Sequence, residues 1–437
     1  MIGLGLEGHG MVVQAILAVA AAAATPSNAA SPAENLLPVD AALARWDMAG
    51  ARILAQAMPK GAERCVVEGI IATRDNRLEE VSKSLPRCLA ILEQTHSARA
   101  HAAFEALLDS YARQGAYRKE HALIVRWLAA HGDPADPDEL ADLREALGTA
   151  AVLRDVSRPK ATGSSSATLH SYRNVLGTQN VDLTVRGVTL SWNIDTGANL
   201  SVVTESAARR MRLAVRDTGA RAVGLSGHSV ATRIAVIHRL PVGGVTLRNV
   251  VAIVVPDSAL FIRSPRGNYQ IPAILGCPAL AQLGRFRIDA DGTFAIDRAG
   301  PLLRSGATLY MKQLTPVVEV EIAGRPGLMS IDTGANRSSL HASYAIRFAD
   351  RARLWSSKRD TTFGLGGSTE GDVAIEPRMT ITAGAATVVE QDVTVTLEGD
   401  KTAAVLGNLG QPALTARGSY TFDFRTMRLL LGPEISN

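Results

Sequence analysis

Apolar residues recur at a helical interval through the first third of the chain. Residues 41–58, 64–74, 78–94, 98–114 and 118–131 are rich in Ala, Leu and Arg, all good helix formers. Phe104, Leu107, Leu108 and Tyr111 fall three or four apart, as one helix face requires. Gly115 and the run Gly132-Asp133-Pro134 interrupt the pattern where helices should end. An all-α domain is expected over residues 31–156. Residues 157–170, with Arg158-Pro159 and Gly163-Ser164-Ser165-Ser166, offer little to pack and read as a flexible linker. The period then changes from helical to alternating. Residues 181–195 alternate around a Gly187 turn, and residues 316–332 do so around Gly324 and Pro326. Many short strands, an all-β region, are expected from there to the end.

The alternating region contains itself twice. Trp192 begins W-N-I-D-T-G-A-N and Met329 begins M-S-I-D-T-G-A-N, so the pentapeptide D-T-G-A-N recurs 137 positions later. Each copy follows an apolar strand with Asp195 or Asp332. Each then carries a Gly-rich hairpin tip: Val223-Gly224-Leu225-Ser226-Gly227-His228 and Phe363-Gly364-Leu365-Gly366-Gly367-Ser368. Next come Ala273-Ile274-Leu275-Gly276 and Ala404-Val405-Leu406-Gly407. Each copy closes on a short strand, Phe286-Arg287-Ile288-Asp289 or Tyr420-Thr421-Phe422-Asp423. A lone D-T-G is ordinary turn chemistry; four matching features in one order are not.

On these residues the stretch from Ser171 to Gly432 resembles two retropepsin-like aspartic protease domains in tandem. The resemblance implies a multidomain, mainly-β bilobal fold, two closed barrel-like lobes related by a pseudo-two-fold. The lobes are expected at residues 171–300 and 301–437, after the all-α domain. It implies an aspartic endopeptidase with Asp195 and Asp332 as its catalytic pair. Thr196 and Thr333 would tie the two loops together, Gly197 and Gly334 would let backbone N–H groups reach the carboxylates, and Ala198 and Ala335 would keep bulk from the substrate. Gly224, Gly227, Gly364, Gly366 and Gly367 would form flaps. Leu275, Gly276, Leu406 and Gly407 would be the apolar-Gly loops. Pepsin-like enzymes carry a flap Tyr, which both tips here lack. Two close carboxyls cannot both ionise easily, and such a pair activates a water without metal or cofactor. The alternative is a peptide-binding module that no longer cuts. Pairing of lobes within one chain is expected, with a homodimer as the alternative.

The remaining features refine this picture. Residues 11–24 are an apolar run with Ala22 and Ala24 before a polar segment, which reads as an export signal over 1–30 leading to the periplasm or the extracellular space. Residues 1–10 contain Glu7 and His9 but no Lys or Arg, so an uncleaved anchor is the alternative. At 437 residues, 46% hydrophobic and 20% charged, the chain has material for two or three domains. With 4% aromatics the cores should be aliphatic. The +4 charge comes from 46 basic and 42 acidic residues without a Lys/Arg block, so no nucleic-acid partner is expected. A protein partner for the helical domain fits equally with substrate recruitment or masking. Of three cysteines, Cys65 and Cys88 share the helical region and would pair in an oxidising compartment. Cys277 reads as a buried small residue. The G-x-G-x-x-G of Gly3 to Gly8 has no strand before it and is discounted. The sequons at Asn199 and Asn336 lie inside the repeat and read as incidental. His228 reads as a loop residue, with a pH-sensitive substrate contact as its alternative.

Overall fold

A computed structural model describes residues 38–134, 136–223, 229–264, 267–364 and 367–433. The chain divides into two compact units, meeting in sequence at Val156 and Ser157. The signal-like segment, Gly3 to Gly8, Gly224, Gly227, His228 and Gly366 lie outside the described residues.

The first unit consists of the helices Pro38–Ala44, Met48–Ala57, Ala62–Arg74, Leu78–Gln94, Ala100–Arg113, Tyr117–His131 and Pro137–Leu153. Its tight turns share one solution. Trp46, Asn76, His96 and Gly115 each adopt positive φ. The next N–H reaches back to a carbonyl five residues earlier: Asp47 to Ala42, Arg77 to Ala72, Ser97 to Leu92 and Ala116 to Tyr111, at 2.8–2.9 Å. This closure satisfies otherwise orphaned carbonyls and reverses the chain within a few residues. It also splits the run 41–58, read as continuous, at Trp46, after which Asp47 caps the second helix through the Gly50 N–H. Val66, Leu85, Leu89, Phe104, Leu107, Ile124 and Trp127 fill the core. A disulfide joins Cys65 to Cys88 across the third and fourth helices.

The second unit starts earlier than the sequence suggested. Residues 157–170 are not a free linker: Lys160–Gly163 pairs with Val245–Arg248, and Ser166–Arg173 pairs with Thr293–Asp297 and Gln179–Val185. The Gly/Ser composition hid a weak alternation in which Ala161, Ala167 and Leu169 pack against the core. Gly163 takes φ 89° where a Cβ would strike the Gly244 carbonyl.

Two copies of one strand arrangement follow. In the first, the hairpin Gln179–Val185/Val188–Asp195 is joined in parallel by Ala273–Gly276, with Gly276 opposite Asp195. In the second, the hairpin Thr315–Ile322/Arg325–Ile331 is joined in parallel by Val405–Leu409, with Leu409 opposite Ile331. Each copy has a parallel pair, Ser201–Thr204 with Val250–Val255 and Ser339–Leu340 with Ala386–Val395. Each also has a long hairpin, Val215–Val223/Ser229–Ile237 and Ser356–Gly364/Gly367–Ala383. The hairpin Phe261–Ser264/Gly267–Gln270 occurs only in the first copy among the described residues.

An antiparallel six-stranded sheet ties the copies together. Its order is Ser166–Arg173, Thr293–Asp297, Arg285–Asp289, Ser419–Asp423, Arg428–Leu431, Ala307–Lys312. The centre pairs Arg287 with Thr421, so the order reads alike from either side. Among the described residues, twenty strands join one hydrogen-bonded network that closes on itself and runs through both copies. The core is not purely aliphatic here. Four of the eight phenylalanines, Phe286, Phe294, Phe422 and Phe424, cluster in and beside this sheet, with Phe286 stacked on Phe422 at 5.0 Å.

Candidate active site

Both D-T-G turns leave buried strands, so both acids are carried out of water by the packing behind them. Residues Trp192–Asp195 are buried as a run, and Asp195 and Asp332 are 0% and 1% exposed. The threonines cross between the turns. The Thr196 N–H donates to Thr333 Oγ1 at 3.0 Å and the Thr333 N–H to Thr196 Oγ1 at 3.1 Å. Each hydroxyl then donates onward, Thr196 to the Ile331 carbonyl and Thr333 to the Ile194 carbonyl, both at 2.8 Å. Four bonds related by a two-fold fix the loops against each other. The hydroxyls are buried and fully used, the condition under which polar burial is not penalised.

The glycines explain how close the acids come. A Cβ on Gly197 would lie 2.5 Å from Asp332 Cγ, and one on Gly334 would lie 2.4 Å from Asp195 Cγ. The carboxylates are oriented by backbone donors: Gly197 and Ala198 N–H to Asp195 Oδ1 at 2.8 and 3.0 Å, and Gly334 N–H to Asp332 Oδ1 at 2.7 Å. The two carboxyls interact with each other, and each Oδ2 has no hydrogen-bond partner elsewhere among the described residues. Burial pushes Asp195 up to about 6. It pushes Asp332 well above the usual carboxylate range, with the Asp195 charge adding to the rise. A pair so arranged keeps one proton over a wide pH range and titrates as a unit.

A family model described as aspartyl protease matches residues 181–279.

That match takes in Asp195, its turn and the Gly276 loop, and it supports a general aspartic protease function. It ends before the second copy begins. No curated protein matches the chain. Among solved structures, a retropepsin-like aspartic protease from Rickettsia conorii is 19% identical over 33% of this chain and 96% of its own, with a TM-score of 0.21. Basic 7S globulin from soybean is 12% identical over 61% of this chain and 93% of its own, with a TM-score of 0.37.

Within the matched segment, Gly276 sits under the Asp195 turn. The Cys277 N–H donates to the Ala198 carbonyl at 2.8 Å, and a Cβ on Gly276 would meet the Leu200 carbonyl oxygen at 2.4 Å. The second copy repeats this at Gly410, not at Gly407. There the Gln411 N–H donates to the Ala335 carbonyl at 2.8 Å, and a Cβ on Gly410 would meet the Arg337 carbonyl oxygen at 2.3 Å. The sequence match of Leu406-Gly407 to Leu275-Gly276 was therefore three residues early. Leu406 and Gly407 lie inside the strand Val405–Leu409, where Gly407 pairs with Leu340. A shift in the ladder between Leu328 and Ser330 accompanies the displacement. The longer string agrees with the structure, since Leu275-Gly276-Cys277-Pro278-Ala279-Leu280 recurs as Leu409-Gly410-Gln411-Pro412-Ala413-Leu414.

Several site residues escaped the sequence reading. Ser201 Oγ accepts the Gly276 N–H at 3.2 Å and Ser338 Oγ accepts the Gly410 N–H at 3.0 Å. Gln411 Nε2 donates to the Thr333 carbonyl at 2.6 Å. Asn199 accepts from Thr315 at 3.2 Å, and Asn336 donates to the Leu176 carbonyl at 3.0 Å. The signal for most of these was present: the repeat runs on as D-T-G-A-N-x-S. Asn199 is fully buried, which removes its sequon as a glycan site in the folded chain. Of the flap glycines, Gly364 and Gly367 face each other at the end of the second long hairpin. Midway along that hairpin Asp360 pairs with Arg337, five residues past Asp332. Cys277 is buried in the core at the start of the helix Cys277–Ala281. Among the described residues no group of three His, Cys, Asp or Glu side chains is arranged to hold a metal.

Proposed function

We propose that this chain is an aspartic endopeptidase whose Asp195 and Asp332 hydrolyse peptide bonds through one activated water. The observation that carries the reading is the crossed threonine pair, which brings two buried carboxyls with raised pKa together from one polypeptide. At acidic pH one carboxyl is ionised and the other protonated. The ionised group takes a proton from water as the water oxygen attacks the scissile carbonyl carbon. The protonated group gives its proton to the carbonyl oxygen. The tetrahedral adduct then collapses, the C–N bond breaks and a proton passes to the leaving nitrogen.

An extended peptide would bind between the lobes under the two long hairpins, bonding backbone to backbone with alternate side chains in pockets. The hairpin tips would close over it and exclude water. The chain is proposed to act as a monomer, because each turn already finds its partner in the same chain. The disulfide supports an oxidising compartment and hence export. The helical unit is proposed to dock a protein, either substrate or regulator.

The test is a peptide-library cleavage profile of the purified full chain between pH 3 and 8, alongside Asp195→Asn and Asp332→Asn. Cleavage by the parent and loss of at least about a thousandfold in each variant is the expected result. A parent that binds peptides but cuts none would make the chain a binding module instead.

A further inference from the structure

Glu390 occupies a place where the strand pattern asks for an apolar residue. Along Ala386–Val395 the inward positions are Ala386, Val388, Glu390, Val393 and Val395, and all but Glu390 belong to the hydrophobic core. A carboxyl on that face costs free energy unless it is bonded. It is bonded to the site. The Ser338 hydroxyl donates to Glu390 Oε1 at 2.7 Å, while Ser338 Oγ itself accepts the Gly410 N–H at 3.0 Å. Gly410 leads into Gln411, whose backbone and side chain hold the Ala335 and Thr333 carbonyls of the Asp332 turn. The first copy has the same serine bond, from the Gly276 N–H to Ser201, but its corresponding strand Val250–Val255 reads VVAIVV and has no acid.

We propose that Glu390 is a positioning residue for the Asp332 turn, acting through Ser338 and Gly410, and that it sets an upper pH limit on how firmly that turn is held. The proposal rests on the reading of Asp332 as catalytic. It makes the two halves of the site unequal: the Asp195 turn is held by uncharged groups, the Asp332 turn through a titratable one.

Burial raises the Glu390 carboxyl to about 7, against the opposing pull of the Ser338 bond. No charged neighbour contributes to this shift. On the packed elements, Arg378 and Asp392 are exposed, Arg337 is paired with Asp360, and His341 and Arg347 flank or end the helix Ala342–Arg347. A group raised above its ordinary value lends its stabilisation fully below the usual carboxylate range and loses it as pH rises through the folded value. Neutral Glu390 accepts from Ser338 in an apolar wall at little cost. Ionised, it carries a full charge with one donor, and the turn loosens.

Amide hydrogen exchange of the full chain tests this, followed at residues 332–340 and 408–411 in an Asp332→Asn background that removes the dyad's own titration. After correction for intrinsic exchange, opening of these segments should rise about tenfold from pH 5 to 8, the scale of one hydrogen bond. Glu390→Gln, which keeps an acceptor and cannot ionise, should flatten that rise. Ser338→Ala should raise opening about tenfold even at pH 5. With Asp332 restored, Ser338→Ala should lower kcat on labelled casein with KM little changed, and Glu390→Gln should extend the alkaline limb of the profile. A pH rise that persists in Glu390→Gln, or a Ser338→Ala chain that exchanges like its parent, overturns the proposal. If the parent cuts no casein, the catalytic reading is at fault, and the exchange data still decide the role of Glu390.

Discussion

Replacing Gly334 by Ala tests the geometry of the site with a single methyl group. The added Cβ would stand 2.4 Å from Asp195 Cγ and 2.5 Å from its Oδ2, against the 3.4–4 Å of ordinary contact. The Asp195 carboxyl or the Gly334 backbone must therefore give way by about 1 Å, since no close-packed interior tolerates such overlap. Neither partner moves freely, because Asp195 is held by two N–H donors and Gly334 lies in the turn locked by the crossed threonines. A misplacement of about 1 Å in a reacting group costs on the order of a hundredfold in rate. Overpacking of this kind costs about 1–3 kcal/mol in stability. No left-handed φ is involved at this glycine, so the effect is crowding rather than backbone strain. Where space allows, the same change would stabilise by about 0.4–1 kcal/mol through the unfolded chain. The assay is kcat and KM on a peptide found by library profiling, with thermal unfolding measured in parallel. The expected result is a kcat loss of about a hundredfold, little change in KM, and a lower Tm. Activity within threefold of the parent would show that the two turns do not approach as described. Gly197→Ala, with its Cβ 2.5 Å from Asp332 Cγ, should behave alike.

Three further outcomes are expected. Asp195→Asn should make the protein more stable than its parent at pH 7, by up to about 3 kcal/mol for a carboxyl raised from 3.8 to about 6. The parent's stability should fall as pH rises from about 4 through 6 and the difference should vanish near pH 3, so a variant melting below its parent at pH 7 would contradict the raised dyad. Glu376→Ala should cost about 3 kcal/mol in urea unfolding, because the buried carboxylate accepts from Arg351 at 2.8 and 2.6 Å, Tyr344 at 3.0 Å and Trp355 at 3.1 Å and its loss strands a guanidinium; a cost under 1 kcal/mol would show the network idle. Replacing Cys65 and Cys88 by Ser should destabilise the helical unit by about 3 kcal/mol, the loop-closure value for residues 23 apart, and an unchanged unfolding curve for that unit would refute the estimate.

What could be read from the sequence was what short-range pattern specifies. The alternating hairpins ending in Asp195 and Asp332 announced both strands and both turns, because alternation fixes a strand's buried face and the Asp then falls at its exit. The helices were legible by period, but the break at Trp46 was not, since a tryptophan in a left-handed turn leaves no compositional mark. Residues 160–170 were misread because Gly and Ser outweighed three apolar residues whose burial depends on distant strands. Gly407 was matched for Gly410 because the comparison stopped at Leu-Gly; the next residues, Pro278-Ala279-Leu280 and Pro412-Ala413-Leu414, carried the right register in the sequence itself. Glu376 and Glu390 are polar residues on inward faces, and no local rule separates them from exposed strand acids; their partners Arg351 and Ser338 come from elsewhere in the fold. Such conflicts between pattern and burial concentrate where structure is specialised.

The central claim is that Asp195 and Asp332 of one polypeptide meet and act as one acid–base pair. Mixing purified Asp195→Asn and Asp332→Asn chains in equal amounts, after joint unfolding and refolding, tests it most directly when the parent's cleavage rate is the reference. If the pair forms within a chain, every refolded molecule still carries one Asn in its site, and the mixture stays as inactive as either variant alone. Recovery of a quarter or more of the parent's rate would mean that the two acids come from different chains, and the account of a self-contained site would be wrong.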